Sequence, residues 1–157
     1  KKNKNGFTLV ELLVVIGIIT MITALLFPNF MGARQRARDS QRKADLKQIQ
    51  GAVELYKSDK NPPVYPSGSF ATSMCGKCWT AGGSGDVCPT GNVYMRKFSC
   101  DPGTNLPSPY LYQGDITDTL KYTLTACLEN VVDPDRDPTP VAACATPGYA
   151  SYTVSEP

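Results

Sequence analysis

Six cysteines, an acid embedded in an apolar run and a late group of aspartates are the residues of this 157-residue chain whose types and spacing could do chemistry. The cysteines are Cys75, Cys78, Cys88, Cys100, Cys127 and Cys144. An even count in a small, loop-rich domain reads as a disulfide framework, and spacing alone does not choose among the pairings. Cys75-Gly76-Lys77-Cys78 has the spacing of a redox pair or, with Cys88 and Cys100, of a four-thiolate zinc site. A redox pair should open a helix after a strand, whereas Met74 to Gly85 is glycine-rich and turn-like, so structural disulfides are the preferred reading. The chain has no histidine, which excludes a histidine-based triad, acid–base pair or metal site.

Glu11 is the second feature. An ionised carboxylate within a membrane helix costs roughly 2.5–3.5 kcal/mol even on lenient scales, so it needs a partner or a purpose. The competing reading puts Glu11 at headgroup level, solvated and idle. The third feature is the segment Glu129 to Pro138, where Asp133, Asp135 and Asp137 offer oxygen ligands at alternate positions, as calcium prefers. Arg136 stands among these acids, two prolines stiffen the loop and no glycine permits an EF-hand turn, so a solvated acidic loop competes with a calcium site. No cofactor is required by the sequence.

The elements that carry these residues are legible in outline. Phe7 to Phe27 is almost uniformly apolar and about as long as a bilayer-spanning helix. Lys1, Lys2 and Lys4 precede it, as in a cytoplasm-facing leader, but Arg34, Arg36, Arg38, Arg42 and Lys43 follow it, so the positive-inside signal is divided. The cysteine-rich remainder favours the outside. Pro28 would kink or interrupt the helix, or mark the membrane boundary; beyond it Leu46, Ile49, Val53 and Tyr56 recur at spacings of three and four, an amphipathic stem in which Asp39 and Lys43 make an i,i+4 pair. A helix from Phe7 to Tyr56 is roughly 75 Å long. Asn61-Pro62-Pro63 ends it.

Past Pro63 the texture becomes Pro, Gly, Ser and Cys, with turns at Pro66-Ser67-Gly68, Ala81 to Gly85 and Asp101-Pro102-Gly103. Strands are expected at Lys121 to Leu128, where apolar and polar residues alternate, and at Tyr149 to Val154. The fold class is therefore α+β: a long N-terminal helix, apolar then amphipathic, packed on a small antiparallel sheet with disulfide-bound loops. The divisions are a leader at 1–6, a membrane-spanning helix at 7–28, a stem at 29–60 and a Cys-rich head at 61–157. No internal repeat is visible.

The formal charge is +2, and without the three leader lysines it is −1. Bulk electrostatic binding to nucleic acid is not indicated. The cations between Arg34 and Lys47 could touch phosphates of lipid or DNA, or pair with acids of another subunit, but a solvated helix face is the ordinary outcome. Trp79 and the tyrosines read as core and sheet residues.

Gly6-Phe7-Thr8-Leu9-Val10-Glu11-Leu12-Leu13, behind a basic leader and ahead of an uncharged run to Pro28, resembles the processing junction of the type IV pilin and pseudopilin superfamily. The resemblance is close from Gly6 to Pro28 and looser through the stem. It implies a non-enzymatic filament subunit, stored in the inner membrane, cut after Gly6 by a prepilin peptidase and methylated at Phe7. It also implies polymerisation with copies of itself on an assembly platform, where Glu11 meets the Phe7 amine of a neighbour and Pro28 lets the stem flex. The filament is then a surface pilus or the periplasmic pseudopilus of a type II secretion system. Some major pseudopilins of that system bind calcium in a comparable late loop, which is the further support for Asp133, Asp135 and Asp137. A non-polymerising, membrane-anchored binding module is the rival from another class.

Overall fold

The computed structural model describes residues 6–69, 74–103 and 110–157, without the side chains of 27–29. The leader lysines therefore lie outside the described residues, as does the side chain of Pro28. The chain forms two compact units, Lys1–Gln35 and Arg36–Pro157.

In the first unit Gly6 to Thr8 are non-helical and α1 (Leu9–Ser58) begins immediately after them. The backbone stays helical through position 28. The window Leu9–Leu26 has a mean hydropathy of 2.7 and none of it is buried. Its hydroxyls are turned inward: Thr20 donates to the carbonyl of Ile16 and Thr23 to that of Ile19, at 2.9 and 2.8 Å. Such back-bonding leaves no side-chain donor facing outward between Leu12 and Leu26, the condition a helix must meet in hydrocarbon.

In the second unit the rest of α1 buries one face. Leu46, Ile49 and Val53 are fully buried, as the spacing of three and four predicts. They pack with Tyr110, Tyr112, Tyr122, Leu124 and Ala126 into one core. Tyr56 stacks on Trp79 at 5.5 Å and meets Tyr94 edge-on, extending that core toward the end of the helix. The helix stops at Ser58, before Asn61-Pro62-Pro63 as expected, and the Asp59 carboxylate there receives the Tyr94 hydroxyl at 2.6 Å.

Two three-stranded antiparallel sheets complete the unit. The first comprises β1 (Cys78–Thr80), β2 (Gly83–Gly85) and β3 (Val93–Met95), with β1 in the centre. The second comprises β4 (Leu111–Gly114), β5 (Tyr122–Leu128) and β6 (Ala150–Ser155), with β5 in the centre. Strands β5 and β6 are the two read from the sequence, each within a residue of the expected bounds. The first sheet is the departure: Met74 to Gly85 holds two strands as well as turns. Strand β1 is only three residues long, too short for alternation to show, and the Cys78–Cys88 bridge ties it to the loop beyond β2.

Candidate assembly site and its anchoring cluster

Phe7 is 86% exposed, and Gly6 and Thr8 beside it are exposed too. A Cβ built on Gly6 would meet nothing within 4 Å, and its backbone does not need the left-handed region. The fold thus gives no reason for glycine at this position. What glycine does supply is a junction unhindered by any side chain.

Thr8 and Glu11 form a capping box. The Thr8 hydroxyl and backbone N–H donate to Glu11 Oε2 at 2.6 and 2.8 Å, and the Glu11 N–H donates back to Thr8 Oγ1 at 3.2 Å. The reciprocal bonds start α1 and hold the carboxylate at its entrance, exposed to the surroundings. Sequence reasoning singled out Glu11 but not Thr8; the Thr-x-x-Glu spacing ahead of an apolar run was the available signal.

The cysteines pair as Cys75–Cys100, Cys78–Cys88 and Cys127–Cys144, and no described cysteine is free. Cys75 and Cys78 thus bond to different partners rather than to each other.

The stem cations fall into two groups. Arg42 is completely buried on the same stripe as Leu46 and Ile49. Its guanidinium donates to Asp39 Oδ1 at 2.7 Å, to both oxygens of Asp101 at 2.9 Å and to Glu129 Oε1 at 2.8 Å. Burial opposes the charge, but the bonds to Asp101, Glu129 and Asp39 outweigh it and raise the Arg42 pKa. A Cβ at Gly103 would lie 2.6 Å from Arg42 Nη2, so a larger residue there would push the guanidinium aside. Arg38 closes the network on Glu129, and its guanidinium, against partial burial and with Arg42 behind it, holds the Glu129 carboxyl at about 2.

Asp39 does not pair with Lys43, contrary to the i,i+4 expectation. Its two oxygens accept the backbone N–H groups of Glu129 and Asn130 at 2.9 and 2.8 Å. Lys43 reaches instead to Asp133 and, at 2.8 Å, to Asp135. Asp137 turns away from both, accepting from Thr153 Oγ1 at 2.8 Å and from Ser151 Oγ. The three aspartates therefore do not converge, and among the described residues no group of three or more acids or cysteines is arranged to hold a metal ion.

A subunit with a bare apolar helix, an acid at its entrance and a bridged α+β head is the class this geometry defines. Residues 1–27 match the model of the prokaryotic N-terminal methylation motif. The chain is 31% identical over 123 residues to the type II secretion system core protein G of Pseudomonas aeruginosa, covering 73% of this chain and 78% of that one. It is 45% identical over 60 residues to the type IV wide pilus major component PilA4 of Thermus thermophilus, covering 38% and 46% respectively, so that match spans less than half of the pilus component. Core protein G of Aeromonas hydrophila is 36% identical over 61 residues, covering 39% of this chain and 43% of that one. No solved structure matches. The chain belongs to the type IV pilin and pseudopilin superfamily, whose members are structural rather than enzymatic.

Proposed function

We propose that this chain is the structural subunit of a type IV pilus-like filament, held in the inner membrane through residues 7–28, cut after Gly6, methylated at Phe7 and polymerised through its N-terminal helix. The observation that carries the proposal is the wholly exposed apolar stretch Leu9–Leu26 with Glu11 held at its entrance. Such a surface is stable only against lipid or against like helices, and a filament exchanges one for the other. Cleavage by a prepilin peptidase would hydrolyse the Gly6–Phe7 bond and free the Phe7 amine, and Glu11 would meet that amine from a neighbouring copy.

Residues 29–60 then serve as the stem and 61–157 as the head that an assembly platform stacks. The bonds of Lys43 to Asp133 and Asp135 tie the acidic loop to the stem and leave it no need of a metal to be held there. Intact mass and N-terminal sequencing of the mature protein test the processing step: a start at Phe7 with one added methyl is expected, and a retained Gly6 would overturn it.

The second reading, a major pseudopilin of a type II secretion system, is favoured by the match to core protein G, which covers 73% of this chain and so takes in much of the head. Long extracellular filaments built from this chain select the pilus. A periplasmic location with a secretion defect on deletion selects the pseudopilus.

A further inference from the structure

The head neutralises the stem cations selectively. Arg38, Arg42 and Lys43 are bonded to Glu129, Asp39, Asp101, Asp133 and Asp135. Arg34 and Arg36, which come before them on α1, are exposed and have no carboxylate partner among the described residues. Arg34 lies instead over the ring of Phe30, 4.5 Å from its centroid. Phe30 and Met31, shortly beyond the membrane window and before the first arginine, are each 55% exposed.

Helix geometry gives the level of this patch. Eighteen residues from Leu9 to Leu26 rise about 27 Å, close to the thickness of a bilayer's hydrocarbon core. Phe30 follows about 6 Å later and Arg34 about 12 Å later, the first within the interface and the second within reach of the phosphates once its long side chain bends back. An aromatic ring at the interface with a guanidinium above it is suited to a phospholipid: the ring contacts the upper acyl and glycerol region, and the fork-shaped guanidinium bonds two phosphate oxygens.

We infer that Phe30 and Arg34, one turn apart on the same face of α1, form a headgroup clamp for anionic phospholipid, which fixes the depth of the stored subunit and must let go when the subunit leaves the membrane. The clamp rests on the membrane-storage reading above. A lipid is chosen over the other phosphate source, DNA, because Phe30 and Arg34 stand on the same helix directly beyond the span. It is chosen over the acids of a second copy because an exposed aromatic and Met31 flank the cation.

The test reconstitutes the full chain in nanodiscs of phosphatidylcholine mixed with phosphatidylglycerol and counts by native mass spectrometry which lipid stays bound on mild extraction. Phosphatidylglycerol should be enriched over its share of the bilayer, by roughly fivefold for the one arginine engaged. The variant Arg34→Gln should retain the two lipids in proportion to the bilayer. Lys47→Gln, which removes an exposed cation further from the span, should behave as the parent. Proportional retention by the parent, or equal enrichment in parent and Arg34→Gln, would overturn the clamp. So would an Arg34→Gln variant that keeps its lipid but loses DNA binding or filament contacts. A chain that does not enter the nanodisc at all would overturn membrane storage itself, which separates the two failures.

Discussion

Asp39 and Arg42 lie one turn apart on α1, both withdrawn from water and bonded to each other at 2.7 Å; both hold the segment at Glu129, and Arg42 also reaches Asp101. Asp39 caps the chain at Glu129 and Asn130, just beyond β5. Arg42 grips Asp101, next to the Cys75–Cys100 bridge, and Glu129. One turn of helix thus ties down both loops, close to two of the three disulfides. A purely apolar stripe would have held the sheet but offered these loop amides and carboxylates no partner.

Removing the guanidinium should therefore cost more than an ordinary surface change. Arg42→Ala leaves Asp39, Asp101 and Glu129 facing one another with little water, and a loss of about 3–5 kcal/mol is expected. Urea unfolding of the full chain in detergent, followed by tryptophan fluorescence at the buried Trp79, measures it. A loss below about 1 kcal/mol would mean that the network is solvated in solution.

The same network sets a pH dependence. Glu129 titrates at about 2 in the folded chain against an ordinary value near 4.5, so its charged form is favoured by folding. The contribution is complete above 4.5 and disappears as the pH falls through about 2. By linkage it amounts to no more than roughly 3 kcal/mol. Melting temperatures taken across that interval should fall in the parent chain and fall less steeply in Glu129→Gln. Parallel curves for the two proteins would remove Glu129 as the source.

Lys43 gives an opposite expectation for metals. Its ammonium sits between Asp133 and Asp135, lowering the Asp133 pKa against the effect of burial. Adding calcium or a chelator should therefore leave the melting temperature of the parent unchanged, while Lys43→Ala should destabilise the head by roughly 1–3 kcal/mol through the loss of two charge-assisted bonds. A calcium-induced rise in the parent would contradict this and restore the aspartates as ligands.

Much of this arrangement was written in the sequence at the level of period, and less of it at the level of charge. Leu46, Ile49, Val53 and Tyr56 announced the buried stripe because apolar residues repeated every three or four positions. Continued toward the N-terminus, the same steps land on Arg42 and Asp39. Their polarity disguised them as part of a solvated face, and only the distant residues Asp101 and Glu129 explain why they are inside. Strand β5 showed itself by alternation over seven residues. Strands β1, β2 and β3 have three residues each, and the middle one is Gly83-Ser84-Gly85; pairing and bridges, not local preference, make them strands. At the N-terminus the order was reversed: Gly6 and Phe7 were legible as a motif, while the structure added the bond between Thr8 and Glu11.

That bond allows the charge of Glu11 to be separated from its role in starting the helix. Glutamine can close a capping box as glutamate does, accepting from Thr8 through its amide oxygen. Glu11→Gln should thus keep α1 intact from Leu9 and leave the Gly6–Phe7 junction as exposed as before, so processing continues. It cannot, however, neutralise the ammonium of another subunit's Phe7. Processed subunits that stay in the membrane and do not form filaments are expected, with assembly reduced at least tenfold, the factor that about 1.4 kcal/mol of lost charge pairing would give. Electron microscopy of sheared fractions beside a membrane immunoblot reads both quantities. Normal filaments from Glu11→Gln would mean that the capping bond, rather than the charge, is what position 11 supplies, and Thr8→Val would then be the variant that fails.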